Sequence, residues 1–284
     1  MFKRHLAILV ALLVHLPSRA LSQPMLQRSV LRDSARAEAP ERTASKTFFT
    51  RRDLAYSGIA LVASAAISHF DLRVARWSRR DAVQGSQARQ DLVGQITQVN
   101  ELPLTIAAVA TYGIGRLAGS STVADVGLHT TESLVLTIAV SELIRGPVGR
   151  VRPRASIDDQ YKFEFGGGFT KFEDRSFPSL HSSAAFATAS SLVSELQHRR
   201  PDVARYAAPV LYTAALLPGL SRIHLDEHWA SDVVAGAFVG ALLGSRVVGY
   251  AHSHDVNTID KALLGFNVVP AGDGRVLLLL TARR

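Results

Sequence analysis

The sequence predicts an all-α fold: a helical bundle of about six helices, with a short C-terminal β-hairpin. Three observations predict it. Six apolar stretches of helical length recur between residues 55 and 250, built largely from the helix-compatible residues Ala, Leu, Val and Gly. Pro and Ser stand where several of these stretches begin, as helix starts require. The tail alone changes pattern, placing an Asp-Gly turn between two short apolar runs.

Taken in order, residues 1–22 read as a secretory signal peptide. Lys3 and Arg4 precede the apolar run 6–16, too short to cross a bilayer, and Ala20-Leu21-Ser22 offers small residues for cleavage. An uncleaved membrane anchor is the other reading of the same residues. Residues 23–50 are polar and rich in Arg, Ser, Ala and Glu, which suits a flexible arm. The apolar stretches follow at 55–70, 104–117, 126–143, 183–196, 206–220 and 232–250, within a helical domain at 51–252. Pro103 stands just ahead of the second. Charged residues 71–102 suit a short amphipathic helix. Residues 146–178 form a long connection without regular structure, carrying Gly166-Gly167-Gly168 among Phe163, Phe165, Phe169 and Phe172. A connection of that length is usually functional. The tail, 253–284, carries the hairpin in the runs 266–270 and 276–281, and no internal repeat is present.

Small residues at close spacing let helices approach closely, in a membrane or in a tight soluble bundle. Most of the stretches are shorter than the roughly 20 residues a span needs. With a cleaved signal, six true spans would also place the motifs described below in the cytoplasm. Both a membrane-embedded and a soluble periplasmic bundle therefore fit the sequence.

Composition narrows the chemistry. Cysteine is absent, which excludes disulfides, thiolate zinc sites and thiol catalysis. The formal charge is +8, but the arginines are spread along the chain with no basic run interleaved with aromatics, so no nucleic-acid partner is expected. An anionic substrate or anionic lipid suits the charge better.

Three segments carry chemistry. The first, 145–153, opens with Arg145 ahead of Gly146-Pro147, which should end a helix, and continues with Arg150, Arg152 and Arg154. Clustered guanidiniums fork onto phosphate oxygens, although alone they also describe a solvated basic loop. The second, Ser176-Phe177-Pro178-Ser179-Leu180-His181, precedes an Ala-rich run and marks a helix N-terminus. Such a terminus offers free N–H groups to an anion. Ser179 can donate its hydroxyl and His181 lies in the first turn; an ordinary Ser cap with an exposed His is the plainer alternative. The third runs from Ser221-Arg222 to His228 and Asp232. His228 and Asp232, four apart on a helix, share a face, so the carboxylate can reach one ring nitrogen and leave the other free to attack. Arg222 lies upstream to hold an anion. A metal site from His224 and His228 with Asp226, Glu227 and Asp232 is the rival reading; the spacing is not His-Glu-x-x-His.

Together the segments resemble the type 2 phosphatidic acid phosphatase and vanadium haloperoxidase superfamily, whose pattern is Lys-x6-Arg-Pro, Pro-Ser-Gly-His and Ser-Arg-x5-His-x3-Asp. This chain has Arg145-x6-Arg152-Pro153, Pro178-Ser179-Leu180-His181 and Ser221-Arg222-x5-His228-x3-Asp232. The resemblance covers about residues 100–250 and implies that family's helical bundle. It departs at Arg145, where the family has Lys, and at Leu180, where the family has a Gly whose N–H binds phosphate. Leu keeps the N–H, adds bulk and disfavours left-handed backbone angles.

The resemblance implies a metal-independent phosphohydrolase with no cofactor. His228, His181 and Asp232 would be catalytic; Arg145, Arg152, Ser179, Leu180 and Arg222 would bind phosphate. His228 would attack phosphorus to form a phosphohistidine, and His181 would protonate the leaving oxygen. The substrate would be a phosphate monoester or diphosphate, lipid-linked (phosphatidate or polyprenyl diphosphate type) given the apolar helices, with membrane association and a periplasmic location. Three alternatives share the site: a soluble nonspecific acid phosphatase, a haloperoxidase with vanadate as cofactor, and a non-catalytic membrane protein of the same fold.

Overall fold

The computed structural model describes residues 47–254 and the two strands at 266–270 and 276–280. The expected signal peptide at 1–22 and most of the arm lie outside the described residues. Nine α-helices occur among those described: α1 (Arg51–Ser68), α2 (Asp71–Ser78), α3 (Asp81–Gln84), α4 (Gln87–Ile96), α5 (Glu101–Leu117), α6 (Ser121–Val148), α7 (Leu180–Arg199), α8 (Pro201–His224) and α9 (Ala230–Ser253). The six longest coincide with the six apolar stretches. The single short helix expected in 71–102 is instead three, because Arg79-Arg80 and Gly85-Ser86 break the segment twice. The hairpin is present: β1 (Phe266–Pro270) and β2 (Val276–Leu280) pair antiparallel, Phe266 opposite Leu280.

Local signals set the helix starts. Thr50 and Asp53 form a reciprocal capping box at α1, Asn100 caps α5, and Ser86 and Ser120 cap α4 and α6 through their hydroxyls. The arm is anchored before its expected end at residue 50. The Phe48 carbonyl accepts from Arg246 Nε and Nη2 on α9 at 2.9 and 2.6 Å. At the far end of α6 the expected stop fails. Gly146-Pro147 does not end the helix, which runs on to Val148. The terminator is Gly149, whose left-handed backbone (φ 60°) lets its N–H close onto the Arg145 carbonyl. A last-turn proline loses one ladder bond without unwinding what precedes it.

The bundle is built around α7, which packs against α5, α6, α8 and α9. Its contact with α9 is very close. A Cβ on Gly236, Gly240 or Gly244 would fall 2.4, 2.0 and 2.5 Å from the carbonyls of Ser179, Ser183 and Ala187. Three glycines four residues apart thus bring two backbones together, as small-residue stripes do in membrane helices. The interior between helices is correspondingly Ala and Ser: Ala184, Ala187, Ser182, Ser183, Ser190 and Ser191 are fully buried.

Many large apolar side chains face outward, although Leu134, Trp229, Leu243 and Val248 are buried. Leu54, Val62, Ile106, Ile114, Leu143, Val210 and Leu220 all lie more than half exposed on the bundle surface. Small and polar residues inside with large apolar ones outside is the reverse of a water-soluble bundle, and it matches packing in lipid. By length and composition α6 and α9 can each cross a membrane, and α1 with α2, bent by 57°, could form a third, broken span. The sequence underestimates the spans because helices extend past their apolar stretches: α6 has 28 residues and α9 has 24, roughly 42 and 36 Å at 1.5 Å each.

Candidate functional site

The three motif segments come together at one end of the bundle. The last turns of α6 and α8 bring Arg145 and Arg222, the first turns of α7 and α9 bring His181 and Asp232, and the 149–179 connection closes over them. That connection is not structureless. Short 3-10 turns at Gly167–Phe169 and Phe172–Asp174, a bridge between Arg150 and Phe163, and backbone bonds from Val151 to Lys162 and from Arg152 to Glu173 fix its path.

One half of the site is a closed ion-pair network. Arg150 is buried and donates from Nη1 to Asp232 Oδ1 (2.6 Å) and Ser231 Oγ (2.7 Å), and from Nη2 to Asp71 Oδ2 (2.8 Å) and the Gln160 carbonyl (2.7 Å). Asp71 in turn accepts from the Ser231 N–H at 2.9 Å. Asp232 Oδ2 accepts from Ser176 Oγ (2.5 Å) and from the Trp229 N–H (2.9 Å), capping α9. Every oxygen of the two carboxylates is satisfied, as buried charges require.

His228 is mounted on this network, but not by the direct bond the sequence suggests. Its Nδ1 lies 3.9 Å from Asp232 Oδ2, too far for a hydrogen bond. Nδ1 instead donates to the Ser176 carbonyl at 2.7 Å. The helical spacing argument fails because His228 precedes α9, whose first residue is Ala230. Ser176 therefore links the pair, its carbonyl holding the imidazole and its hydroxyl holding the carboxylate. The outcome for the ring is unchanged: the proton sits on Nδ1 and the Nε2 lone pair is left over. Burial pushes the His228 pKa down to about 3, with Arg152 and Arg145 adding to the shift and Asp232 opposing it. The ring is neutral near pH 7.

The other half of the site is lined with cations. Arg145 donates from Nε and Nη2 to the Arg175 carbonyl (3.1 and 2.7 Å) and from Nη1 to Glu142 (2.9 Å). Arg152 bonds the carbonyls of Phe172, Arg175 and Glu227 at 3.2, 3.3 and 3.1 Å, and stacks over the Phe172 ring. Arg222 is the least committed, with Nη1 on Thr97 Oγ1 at 2.9 Å and its buried Nε without a hydrogen bond. Glu227 lies among them, accepting from Arg152 Nη1 on Oε2 and from Arg154 Nη1 on Oε1, with Arg222 Nη2 3.3 Å from Oε2.

His181 stands in the first turn of α7 facing these charges. Burial drives its pKa to about 3, and Arg222, Arg145 and Arg152 push in the same direction. Ser179 is the α7 N-cap, yet unlike Ser86 and Ser120 it makes no cap bond; its buried Oγ has no partner among the described residues. An unspent hydroxyl beside the free N–H groups of a helix start is a built donor set for an anion. Leu180 is buried as the first residue of α7, and among the described residues the one non-Gly with positive φ is Asp226. The left-handed backbone conflict raised by Leu at that position does not arise.

All eight residues singled out from the sequence thus converge. The motifs do not indicate Asp71, Arg150 as a partner of Asp232, Ser176 or Ser231, and they suggest Glu227 only as a metal ligand, not as the ion-pair partner of Arg152. Arg150 and Ser176 stand inside the motif segments, where a second buried Arg and a Ser next to Pro were visible signals. Asp71, far away in α2, carried none.

The motif segments fall within a region that matches known proteins. The model of the PAP2 superfamily matches residues 127–254, which contain every one of these eight residues. Over that stretch the chain is similar to the PAP2 superfamily. The "Lipid A 1-phosphatase" of Porphyromonas gingivalis is 43% identical over 75 residues, 26% of this chain and 16% of that protein, so the chain spans well under two thirds of that relative. The transmembrane PAP2-type phosphatidylglycerolphosphate phosphatase of Bacillus subtilis has the same fold, with a TM-score of 0.50 at 21% identity over 72% of this chain and 97% of that one.

Proposed function

We propose that this chain is a PAP2-type, metal-independent phosphohydrolase of a membrane lipid phosphate, acting through a phosphohistidine on His228. The observation that carries the reading is a neutral, buried imidazole with Nδ1 pinned to the Ser176 carbonyl beside Arg145, Arg152, Arg222 and an unpartnered Ser179 hydroxyl. In this scheme the arginines, Ser179 Oγ and the N–H groups of Leu180 and His181 neutralise the phosphate oxygens. The His228 Nε2 lone pair attacks phosphorus in line, the P–O bond to the leaving group breaks, and His181 delivers a proton to that oxygen. Water then attacks the phosphohistidine and loses its proton to His181; the N–P bond breaks and phosphate leaves. Asp232 stabilises the imidazolium formed in the first step through the field of its carboxylate, with Ser176 relaying orientation.

Two features support a lipid. The large apolar residues cover the outside of the bundle, so the site opens from a body suited to a bilayer, exported to the periplasmic side in the scheme the N-terminal sequence suggests. A cleft of about 470 Å³ beside Arg145 is lined by Ala139, Leu143, Gly146, Gly168 and Phe169, with Glu142 and Arg175 at its polar end. Such a cleft can take an acyl chain while the headgroup reaches the arginines. The relatives act on lipid A and phosphatidylglycerolphosphate by name, and these lead the substrate panel. Purified chain in detergent should hydrolyse lipid phosphates in preference to p-nitrophenyl phosphate, and acid-labile labelled phosphate should be trapped on His228. Preference for the soluble ester would replace the lipid reading with the acid-phosphatase one; vanadate-dependent bromination would replace both.

A further inference from the structure

The end of the bundle away from the candidate phosphate site carries a second constellation that phosphate chemistry does not use. His129 in α6, Glu195 in α7 and His252 in α9 bring a ring nitrogen, a carboxylate oxygen and a ring nitrogen within 4.8 Å of one another. We infer that these three residues form a zinc site that clamps α6, α7 and α9 together.

The donor spacing fits. His129 Nδ1 lies 2.5 Å and His252 Nε2 3.1 Å from Glu195 Oε1. Two ligands of a tetrahedral zinc, each about 2.0–2.1 Å from the metal, stand roughly 3.3 Å apart. Zinc can therefore replace the shared protons with side-chain shifts of the order of 1 Å. Two imidazoles and one carboxylate are a set of borderline donors that zinc accepts with a fourth position left for water.

The surroundings are those of ligands held in place. Arg199 Nε donates to Glu195 Oε2 at 2.9 Å, and Arg199 Nη2 is itself fixed by Asp125 at 2.6 Å. Arg199 thus orients the carboxylate, with Oε1 shared by His129 and His252 and Oε2 also 3.1 Å from His252 Nε2, as outer partners of metal ligands do. The His252 ring stacks on His198 at 4.4 Å between centroids, and His198 Nδ1 donates to the Ser194 carbonyl at 2.8 Å. Glu195 and His129 are buried, whereas the His252 side chain is 24% exposed, which gives an ion a way in.

The position gives the site its consequence. Each of the three helices reaches the phosphate site at its other end, through Arg145, His181 and Asp232. Glu195 is about 21 Å from His181 along α7, and His252 about 30 Å from Asp232 along α9, at 1.5 Å per residue. The ion would act as a distant staple for the helices that carry the site, not as a reagent in it.

The full chain, purified in detergent without a histidine tag and stripped with chelator, tests this. Calorimetric titration should give one Zn²⁺ per chain, Co²⁺ should show the intense visible bands of a tetrahedral N/O site, and zinc should raise the melting temperature. His252→Ala, at the exposed edge, should weaken binding by at least about 100-fold, Glu195→Gln likewise, and Arg199→Met by about tenfold. His224→Ala should leave binding unchanged, since His224 belongs to the other end. No stoichiometric zinc, zinc that persists in both His252→Ala and Glu195→Gln, or zinc lost in His224→Ala would each overturn the assignment. Melting curves of the metal-free variants separate lost binding from lost folding.

Discussion

The two halves of the candidate phosphate site are built on opposite principles. Around Asp71, Arg150, Ser231 and Asp232 every carboxylate oxygen has a partner and nothing faces solvent. Around Arg145, Arg152, Arg222 and His181 the cations crowd together with Glu142 and Glu227 at their edges, and Ser179 Oγ and Arg222 Nε have no hydrogen-bond partner. Apart from the buried Arg150 Nε, the first half is satisfied without a ligand and serves as foundation. In the proposed scheme the second is completed by the substrate phosphate. His228 stands where they meet, its Nδ1 tied to the closed half and its pKa lowered by the arginines of the open one. The contrast predicts that substitutions in the closed half cost stability, while those in the open half cost turnover and leave the fold intact.

The largest expected effect is at the junction. His228→Ala should lower kcat by about 10⁴-fold or more, equivalent to about 5 kcal/mol of transition-state stabilisation, and abolish phosphate trapping. Hydrolysis within tenfold of the unmodified chain would end the phosphohistidine scheme. Next comes Arg150→Met, which strands Asp71 and Asp232 as buried charges. Loss of one partner from such a pair costs about 3–5 kcal/mol, read as a fall in melting temperature in detergent. Should Arg150→Met instead melt normally and lose only activity, the closed half is not a foundation.

How far the sequence reveals this contrast differs between the halves. The open half is legible: Arg145, Arg152, Ser179, Leu180, His181 and Arg222 are contiguous with helix punctuation or sit at motif spacing, and local rules place each of them. The helices are legible too, since each apolar stretch is one. The closed half is mostly hidden. Asp71 meets Ser231 across 160 positions and Arg150 meets Asp232 across 82, and no local pattern encodes such pairings. The Asp232–His228 contact is misjudged for the same reason. Spacing assumes both are on one helix, whereas Ser176, 52 positions before His228, takes the bond. Helix termination at Gly149 rather than Pro147 follows from local cap chemistry, since Gly adopts the left-handed cap without strain.

Within the open half, Arg222→Lys should reduce kcat/KM by about 100-fold, because a point charge replaces a fork at the least committed guanidinium. The melting temperature should not move. pH sharpens the point. In the empty site His181 is held near a pKa of about 3 by burial and the three arginines. A bound phosphate dianion offsets those charges and raises the His181 pKa, so the proton needed by the leaving group is present in the complex and is lost as pH rises through that raised value. The alkaline limb of kcat should therefore move to higher pH in Arg222→Gln, which removes one of the cations. A limb that stays fixed would mean that another group supplies the proton.

The smallest effect probes Glu227, the carboxylate that contacts both Arg152 and Arg222 in the open half. Glu227 accepts from Arg152 and lies against Arg222, occupying donors a phosphate would use. Binding substrate must break or share those contacts, so the carboxylate acts as a resident competitor that also keeps the guanidiniums from repelling one another while the site is empty. Glu227→Gln keeps the size and removes the charge. Competition predicts a KM several-fold lower and inhibition by free phosphate or vanadate at correspondingly lower concentration, with kcat little changed. Its alkaline limb should move to lower pH, opposite to Arg222→Gln, because removing a negative charge makes protonated His181 less favourable. A rise in KM would mean that Glu227 positions Arg152 and Arg222 rather than competing for them, and would assign it to the closed half.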